Sequence, residues 1–464
     1  MKRILAVLPL LPVAWAIPPS HAVDLLDIHD AALAFDPQLQ AAAYRRDAGH
    51  ELHTQAIRGF LPTLSGTANR TFGNNRFLQP EFSGMAADGT SFSSPPIDTR
   101  STSETEAYSV EIRQKIFRYE DIVALKQSRF QVSQADADYE TAYQAFLLRV
   151  AERYFGVLTA EDSLRFAEAE EVALKRQFEQ AEQRFEVGLT AVTDVHEARA
   201  TYDNARANTI IARNDLDDAF EALREITSDF YTELDKLNEN VPLDRPDPAD
   251  AKEWVYLALT NNPELESIRQ QRDVASQDIR IRRSAIYPQF DFVAEYDRFT
   301  DNAVEIRDNP GNIIGSSTRS VRDRQISLQL TWPIFQGGVV WSRTRQARLE
   351  FQAADKDLLA QEQLTIRNTE NAYRAVIAGI REVEARRQAL VSAKSALDAT
   401  QAGFEVGTRT IVDVLLSEQS FFQAQRDYST ARHNFILDHL RLRQASGILK
   451  GADLVDVNRL LGSG

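Results

Sequence analysis

The chain contains no cysteine among its 464 residues, which excludes disulfides, thiolate metal sites and thiol nucleophiles together. It has no basic excess either. Lys and Arg number 53 against 68 Asp and Glu, a formal charge of −15. That balance argues against nucleic acid and anionic membrane surfaces as partners. Beyond the N-terminus no stretch of about 18 consecutive apolar residues occurs, so no helix is expected to span a membrane. Any crossing would have to use strands. No phosphate-binding glycine loop, nucleophile elbow or acid/base pair is recognisable, so neither an enzyme nor a cofactor is expected. His50-Glu51-Leu52-His53 is not the spacing of a zinc hydrolase and lacks an evident third ligand, so no metal is expected.

What is present begins with MKRILAVLPLLPVAWAIPPSHA. Lys2 and Arg3 precede an apolar stretch, Ile4 to Ile17, broken by Pro9 and Pro12. Ser20-His21-Ala22 offers small residues at a cleavage site. Residues 1–22 read as a secretory signal peptide, and no cysteine follows to carry a lipid. Without Lys2 and Arg3 the formal charge becomes −17.

The remainder is written twice. FEVGLTAVTDV (185–195) and FEVGTRTIVDV (404–414) agree at six of eleven positions. Pro37 in AFDPQLQAAAYRRDA matches Pro263 in TNNPELESIRQQRDVA, Pro62 matches Pro288, and Ile116-Phe117 matches Ile334-Phe335. Each copy predicts a helix, a strand, a polar loop, a strand, a very long helix, a glycine turn and a helix. Repeat 1 covers 23–237 and repeat 2 covers 251–448. A linker, 238–250, with the Pro-rich run VPLDRPDPAD joins them, and 449–464 forms a C-terminal segment.

The strands alternate. Phe290, Phe292, Ala294 and Tyr296 share one face; Ile326, Leu328, Leu330, Trp332 and Ile334 make another, as do Tyr108, Val110, Ile112 and Ile116. Alternating segments of about ten residues with interfacial aromatics are the pattern of outer-membrane barrel strands, although one such strand taken alone reads first as an ordinary half-buried sheet. Residues 75–103 and 300–322 are expected to be surface loops. Residues 118–184 hold no proline and only Gly156, enough for a helix about 100 Å long. Its apolar residues recur every seven positions (Leu125, Val132, Tyr139, Phe146), jump by four to Val150, and resume at Val157 and Leu164. The second copy runs Phe351, Leu358, then Val376, Val383, Leu390, Leu397 and Phe404. Seven-residue repeats predict left-handed coiled-coil packing, and the four-residue jump predicts a local unwinding.

Gly188 and Gly407 each end a heptad run, where glycine supplies the left-handed residue that stops a helix. Thr410-Ile-Val-Asp413 fits the T-x-x-D pattern that starts the next one. Both motifs are therefore expected to be tips of helical hairpins. Four strands cannot close a barrel, and an open edge cannot persist in lipid. Several chains must contribute: three would supply twelve strands, and two would supply eight around too narrow a lumen for a duct.

FEVG with TIVDV, ITSDFY (226–231), IFQGG (334–338), ASGIL (445–449) and the doubled layout together resemble the TolC-type outer-membrane efflux and type I secretion channels, over nearly the whole mature chain. The resemblance implies an α+β membrane protein that assembles as a homotrimer. Two β-hairpins per chain would contribute to one twelve-stranded outer-membrane barrel, continuous with a long antiparallel coiled-coil tunnel in the periplasm. It implies a passive exit duct, gated at its periplasmic tip and opened by a periplasmic adaptor (a membrane fusion protein) and an inner-membrane pump of RND, ABC or MFS type. The competing expectation is a periplasmic coiled-coil adaptor or structural protein without a pore. Adaptors typically carry one hairpin, whereas here the whole unit is doubled.

By the same resemblance, Arg409 faces Thr193 and Asp194, within or across chains, as a gate latch. An arginine fork on a carboxylate is directional, although a solvated pair is worth only about 0–1 kcal/mol. Phe404 stands where the family has a latch tyrosine, so one hydroxyl bond is missing and the lock should be weaker. Asp413 matches one of two constriction aspartates, and Leu416 replaces the other. A trimer would then offer three carboxylates instead of six, with weaker block by multivalent cations. Asp413 also fits a plain capping role. His196, next to the first tip, reads as an ordinary exposed histidine.

Overall fold

The protein is described from a computed structural model over residues 23–94, 97–239, 241–307 and 311–462; the expected signal peptide lies outside these. The first copy runs α1 (Leu25–Phe35), α2 (Pro37–Arg58), β1 (Thr63–Gln79), a small hairpin β2 (Phe82–Met85) and β3 (Ser91–Ser94), β4 (Ile97–Phe117), α3 (Tyr119–Glu186) and α4 (Val192–Thr227). After β5 (Lys236–Leu237) the second copy runs α5 (Ala251–Asn261), α6 (Pro263–Ser284), β6 (Gln289–Arg307), β7 (Ile313–Thr331), α7 (Val339–Glu405) and α8 (Ile411–Ala445). The chain ends in α9 (Gly451–Asn458) and β8 (Leu461–Gly462). The helices match almost to the residue: 11, 22, 68 and 36 residues in the first copy against 11, 22, 67 and 35 in the second.

The single helix expected at the start of each copy is two helices. Proline supplies no N–H and is tolerated only in a first turn, so Pro37 and Pro263 each open a new helix. The residue before each proline caps it. Asp36 Oδ1 accepts from the amides of Gln38 (2.7 Å) and Leu39 (2.9 Å), and Asn262 Oδ1 accepts from that of Leu265 (3.0 Å).

The chain forms two compact units. One comprises 45–136 and 267–359 and carries a four-stranded antiparallel sheet in the order β1-β4-β6-β7. The register sets Leu64, Ile112, Ala294 and Ile326 in one row, and Phe292 beside Leu328 in another, all on one face. Ser65, Glu111, Glu295 and Gln325 form a row on the opposite face. The apolar face is exposed; Ile326 alone shows 76% of its surface. The polar face is knitted by charge: Arg118 holds Asp291 with two bonds (2.6 and 3.1 Å), and Arg113 holds Glu111 (2.9 Å).

The strands are longer than the ten residues expected, at 17, 21, 19 and 19. Most of 75–103 and 300–322, expected as loop, is strand. These extensions are rich in Ser, Thr, Asn and charge, so they carry no apolar alternation to read. They are held by ladder bonds and by cross-strand pairs such as Arg76 with Asp98 (2.8 Å) and Arg70 with Glu104.

The second unit comprises 23–44, 137–266 and 360–462. Its core gathers Leu25 and Ile28 of α1, Phe146, Val150 and Val157 of α3, Val376 and Val383 of α7, and Phe435 and Leu440 of α8. Residues on both sides of the four-residue jump are therefore buried together. The C-terminal segment returns to the end of repeat 1: β8 pairs with β5, and Leu454 and Val457 of α9 join the core.

Candidate functional site

Both tips end their long helices with the same pair of backbone bonds. In the first, the Leu189 amide donates to Arg184 O (2.8 Å) and the Gly188 amide to Phe185 O (2.9 Å). In the second, Thr408 donates to Gly403 O (2.8 Å) and Gly407 to Phe404 O (3.1 Å). This is the Schellman arrangement, and it needs a left-handed residue. Gly188 has φ 79° and Gly407 φ 76°, with open space where a side chain would sit, so backbone conformation alone demands glycine there.

The next helix starts differently in the two tips. At the second, Thr410 and Asp413 form a reciprocal capping box. Thr410 N and Oγ1 each donate to Asp413 Oδ2 at 2.9 Å, and the Asp413 amide donates to Thr410 Oγ1 at 3.3 Å. These bonds from Thr410, its backbone amide first, aided by the charge of Arg409, hold the Asp413 carboxyl below the usual carboxylate range. Asp413 thus stays ionised while it caps the helix. At the first tip Ala191 occupies the cap position and makes no side-chain bond; the Thr190 hydroxyl donates to Asp194 instead.

Within one chain, Arg409 is not brought to Thr193 or Asp194. The Asp194 carboxylate is taken by Thr190, and Thr193 is exposed. Arg409 folds back over Gly403, where an added Cβ would come within 2.8 Å of its Cγ. Phe404 has a partner for which no expectation was stated: the Arg184 guanidinium lies 4.6 Å from its ring centroid. That stack joins the first hairpin to the second and needs no hydroxyl. Leu416 is exposed on α8, and His196 is exposed on α4. His50 and His53 take separate partners, Asp136 (2.8 Å) and Ser128 (2.8 Å).

Behind the tips the hairpins share a small core. Leu174 and Ala181 of α3, Ala198 and Ala205 of α4, and Ile411 and Leu415 of α8 are buried together, with the Phe178 and Tyr202 rings stacked 6.2 Å apart alongside. One buried group here escaped the sequence reading. Glu418 continues the Ile411, Leu415, Phe422 stripe of α8 and is 4% exposed. Its Oε1 accepts from Gln177 of α3 (2.9 Å) and Gln401 of α7 (3.3 Å), while Oε2 is buried without a partner. A carboxylate in the middle of an apolar stripe was the available signal. Glu170 also faces this group, itself held by Arg426 at 2.7 Å.

Burial raises the Glu418 pKa above the ordinary 4.5, against the two amide bonds, and the nearby Glu170 charge adds to it. An acid whose folded pKa is raised contributes stability in full below its unfolded value and loses it as pH rises through the folded one. Hydrogen exchange near the tips should therefore quicken as pH is raised above about 4.5, after correction for intrinsic rates. Glu418→Gln should flatten that dependence, and an unchanged slope would reject the assignment.

The comparisons agree with this architecture. The family described as "Outer membrane efflux protein" matches residues 28–228 and 254–448, one match per copy. The chain is 35% identical over 437 residues to outer membrane protein TolC of Vibrio cholerae, covering 94% of this chain and 93% of that protein. It is 27% identical over 439 residues to the alkaline protease secretion protein AprF of Pseudomonas aeruginosa, covering 94% and 86%. The crystal structure of the outer membrane protein VceC of Vibrio cholerae superposes with a TM-score of 0.68 at 17% identity, covering 91% of this chain and 96% of that one. The family match, which falls once in each copy of the doubled unit, and the 35% identity over nearly the whole chain make this chain a member of the outer membrane efflux protein family.

Proposed function

We propose that three copies of this chain close one twelve-stranded barrel in the outer membrane and act as the passive exit duct of an efflux or type I secretion system. A periplasmic adaptor and an inner-membrane pump of RND, ABC or MFS type would open it. The observation that carries this reading is the sheet. β1 and β7 are its two edges, 17 and 19 residues long, each without a partner on its outer side among the described residues, and one face carries an exposed apolar band that includes Leu64, Ile112, Ile326 and Leu328. Lipid requires every backbone group to be paired, and a chain with two such edges satisfies that only by pairing β1 with β7 of a neighbour. Two copies would leave too narrow a lumen, and three give room for a channel. Family membership supports the duct over a pore-free periplasmic scaffold.

The helical tips are the gate in this reading. Arg409 makes no ion pair with a carboxylate among the described residues, its charge acting on Asp413 only at longer range, and Asp194 of a neighbouring copy is its partner in the closed assembly. Asp413 supplies one carboxylate per chain to the constriction, and Leu416 none. Single-channel recording of the purified protein in a planar bilayer tests this. Small, discrete, cation-selective steps are expected. Asp413→Ala should lower the cation preference and any block by multivalent cations, and Arg409→Ser should raise the resting conductance several-fold. Silence from folded oligomers, persisting in Arg409→Ser, would favour the scaffold.

A further inference from the structure

In the sheet-bearing unit, the end of α6 and the start of α7 enclose a groove of about 770 Å³. Arg283, Arg345 and Arg348 supply its cationic wall, and Ile286, Val340 and Trp341 its apolar one. In a chain of charge −15, three guanidinium groups converge here with no acidic residue lining the groove. None of the three is held by a carboxylate among the described residues. The groove adjoins the exposed apolar face of the sheet. Trp332, one residue beyond β7, donates its indole N–H to the carbonyl of Ile286 at 3.3 Å. Trp341 is 81% exposed beside the arginines.

We propose that this groove binds the headgroup of an anionic glycerophospholipid, with the phosphodiester on the arginines and the acyl chains running along the apolar face. The inference rests on the reading of that face as lipid-facing. Guanidinium forks match phosphate oxygens in pairs. Indole rings sit at headgroup level in membrane proteins. Basic pockets between membrane elements take lipid headgroups, and each cation near the surface contributes about five-fold in affinity. A free phosphate ion would satisfy the arginines but leave Ile286 and Trp341 facing water, so a ligand with an apolar continuation fits the lining better. The strongly acidic chain as a whole repels anionic surfaces, which makes a local cluster the means of holding one lipid rather than a whole leaflet.

The test uses Trp341 as reporter. Trp254 is 2% exposed in the helical core, and Trp15 falls within the expected signal peptide. In a Trp332→Phe variant, quenching by lipid bromine atoms therefore reports on Trp341. Detergent-solubilised protein is titrated with brominated phosphatidylglycerol and, separately, brominated phosphatidylcholine. Phosphatidylglycerol should quench at a mole fraction at least ten-fold lower. Each single Arg→Gln change should reduce that preference about five-fold, and Arg283→Gln/Arg345→Gln/Arg348→Gln together should erase it. Equal quenching by the two lipids, or an unchanged preference in the triple variant, overturns the proposal. Reversal by millimolar inorganic phosphate would assign a free-anion site and overturn it too. So would a triple variant that dissociates on gel filtration, since the arginines would then hold a neighbouring copy. Conductance of the same sample separates the two readings. Normal channels without lipid preference sink only the headgroup site; no channels and no quenching by either lipid sink the lipid-facing sheet as well.

Discussion

Ile326→Arg is expected to cost about 2–4 kcal/mol per chain in membrane-inserted stability, whereas its neighbour Gln325→Arg should be close to neutral. The two positions are adjacent in β7 and point to opposite faces. Ile326 lies in the row with Ala294, Ile112 and Leu64, all apolar. Gln325 lies in the row with Glu295, Glu111 and Ser65, where an added guanidinium would meet carboxylates. If the apolar face meets lipid, only the first substitution places a charge in hydrocarbon. Urea titration of the protein refolded into vesicles measures both. A sheet lying in water would not produce this contrast, and equal costs at 325 and 326 would therefore remove the barrel. The magnitude also reports depth, because the penalty falls to about 0–1 kcal/mol near the interfaces. Arg324, opposite Tyr296, and then Arg298 opposite Arg322 share the apolar parity further along the strands and mark where that band ends.

Much of this architecture was legible because the chain states it twice. The two glycines, the Thr410–Asp413 cap and the heptad runs depend on local backbone chemistry and periodicity, and both are written in the residues themselves. The four-residue jump at Phe146 to Val150 marks a stretch that is buried on both sides. What was not legible has physical reasons. Pro37 and Pro263 were read as markers of the repeat rather than as helix starts, although the residues before them, Asp36 and Asn262, are capping residues. The outer parts of the strands carry Ser, Thr and Asn instead of alternating apolar side chains, so nothing in composition separates them from loop. Arg184 and Phe404 meet across two hairpins that are far apart in sequence, and a cation over a ring leaves no spacing to recognise. Glu418 was hidden for the opposite reason: on a coiled-coil surface a glutamate is ordinarily solvent-facing, and only the stripe formed by Ile411, Leu415 and Phe422 shows that it turns inward.

The helical unit holds a part-buried ion pair between Asp36 and Arg149, and Asp36→Ala is expected to lower its stability by about 2–3 kcal/mol. Asp36 is 1% exposed. Its Oδ2 accepts from Arg149 at 2.6 Å, and its Oδ1 caps the first turn of α2. Alanine removes the cap, worth about 1 kcal/mol by itself. Among the described residues it also leaves the Arg149 guanidinium with only Gln38 Oε1, at 2.8 Å, as a side-chain partner, while its Nε is already buried without an acceptor. A partly buried guanidinium left without its carboxylate costs more than the lost cap, so the larger share of the effect belongs to Arg149. That division is testable. Asp36→Asn retains a capping oxygen while removing the charge. Arg149→Met removes the cation while keeping most of the stem volume. The Asp36→Asn/Arg149→Met double variant should recover stability relative to the sum of the single changes. Trp254 lies in the same core and reports its unfolding by fluorescence. An Asp36→Ala loss near 1 kcal/mol, with additive single changes, would mean that Arg149 remains hydrated and that the pair only caps α2. A loss of about 2–3 kcal/mol with strong coupling would make the α1–α2 joint the point at which the first copy is fixed to its long helix.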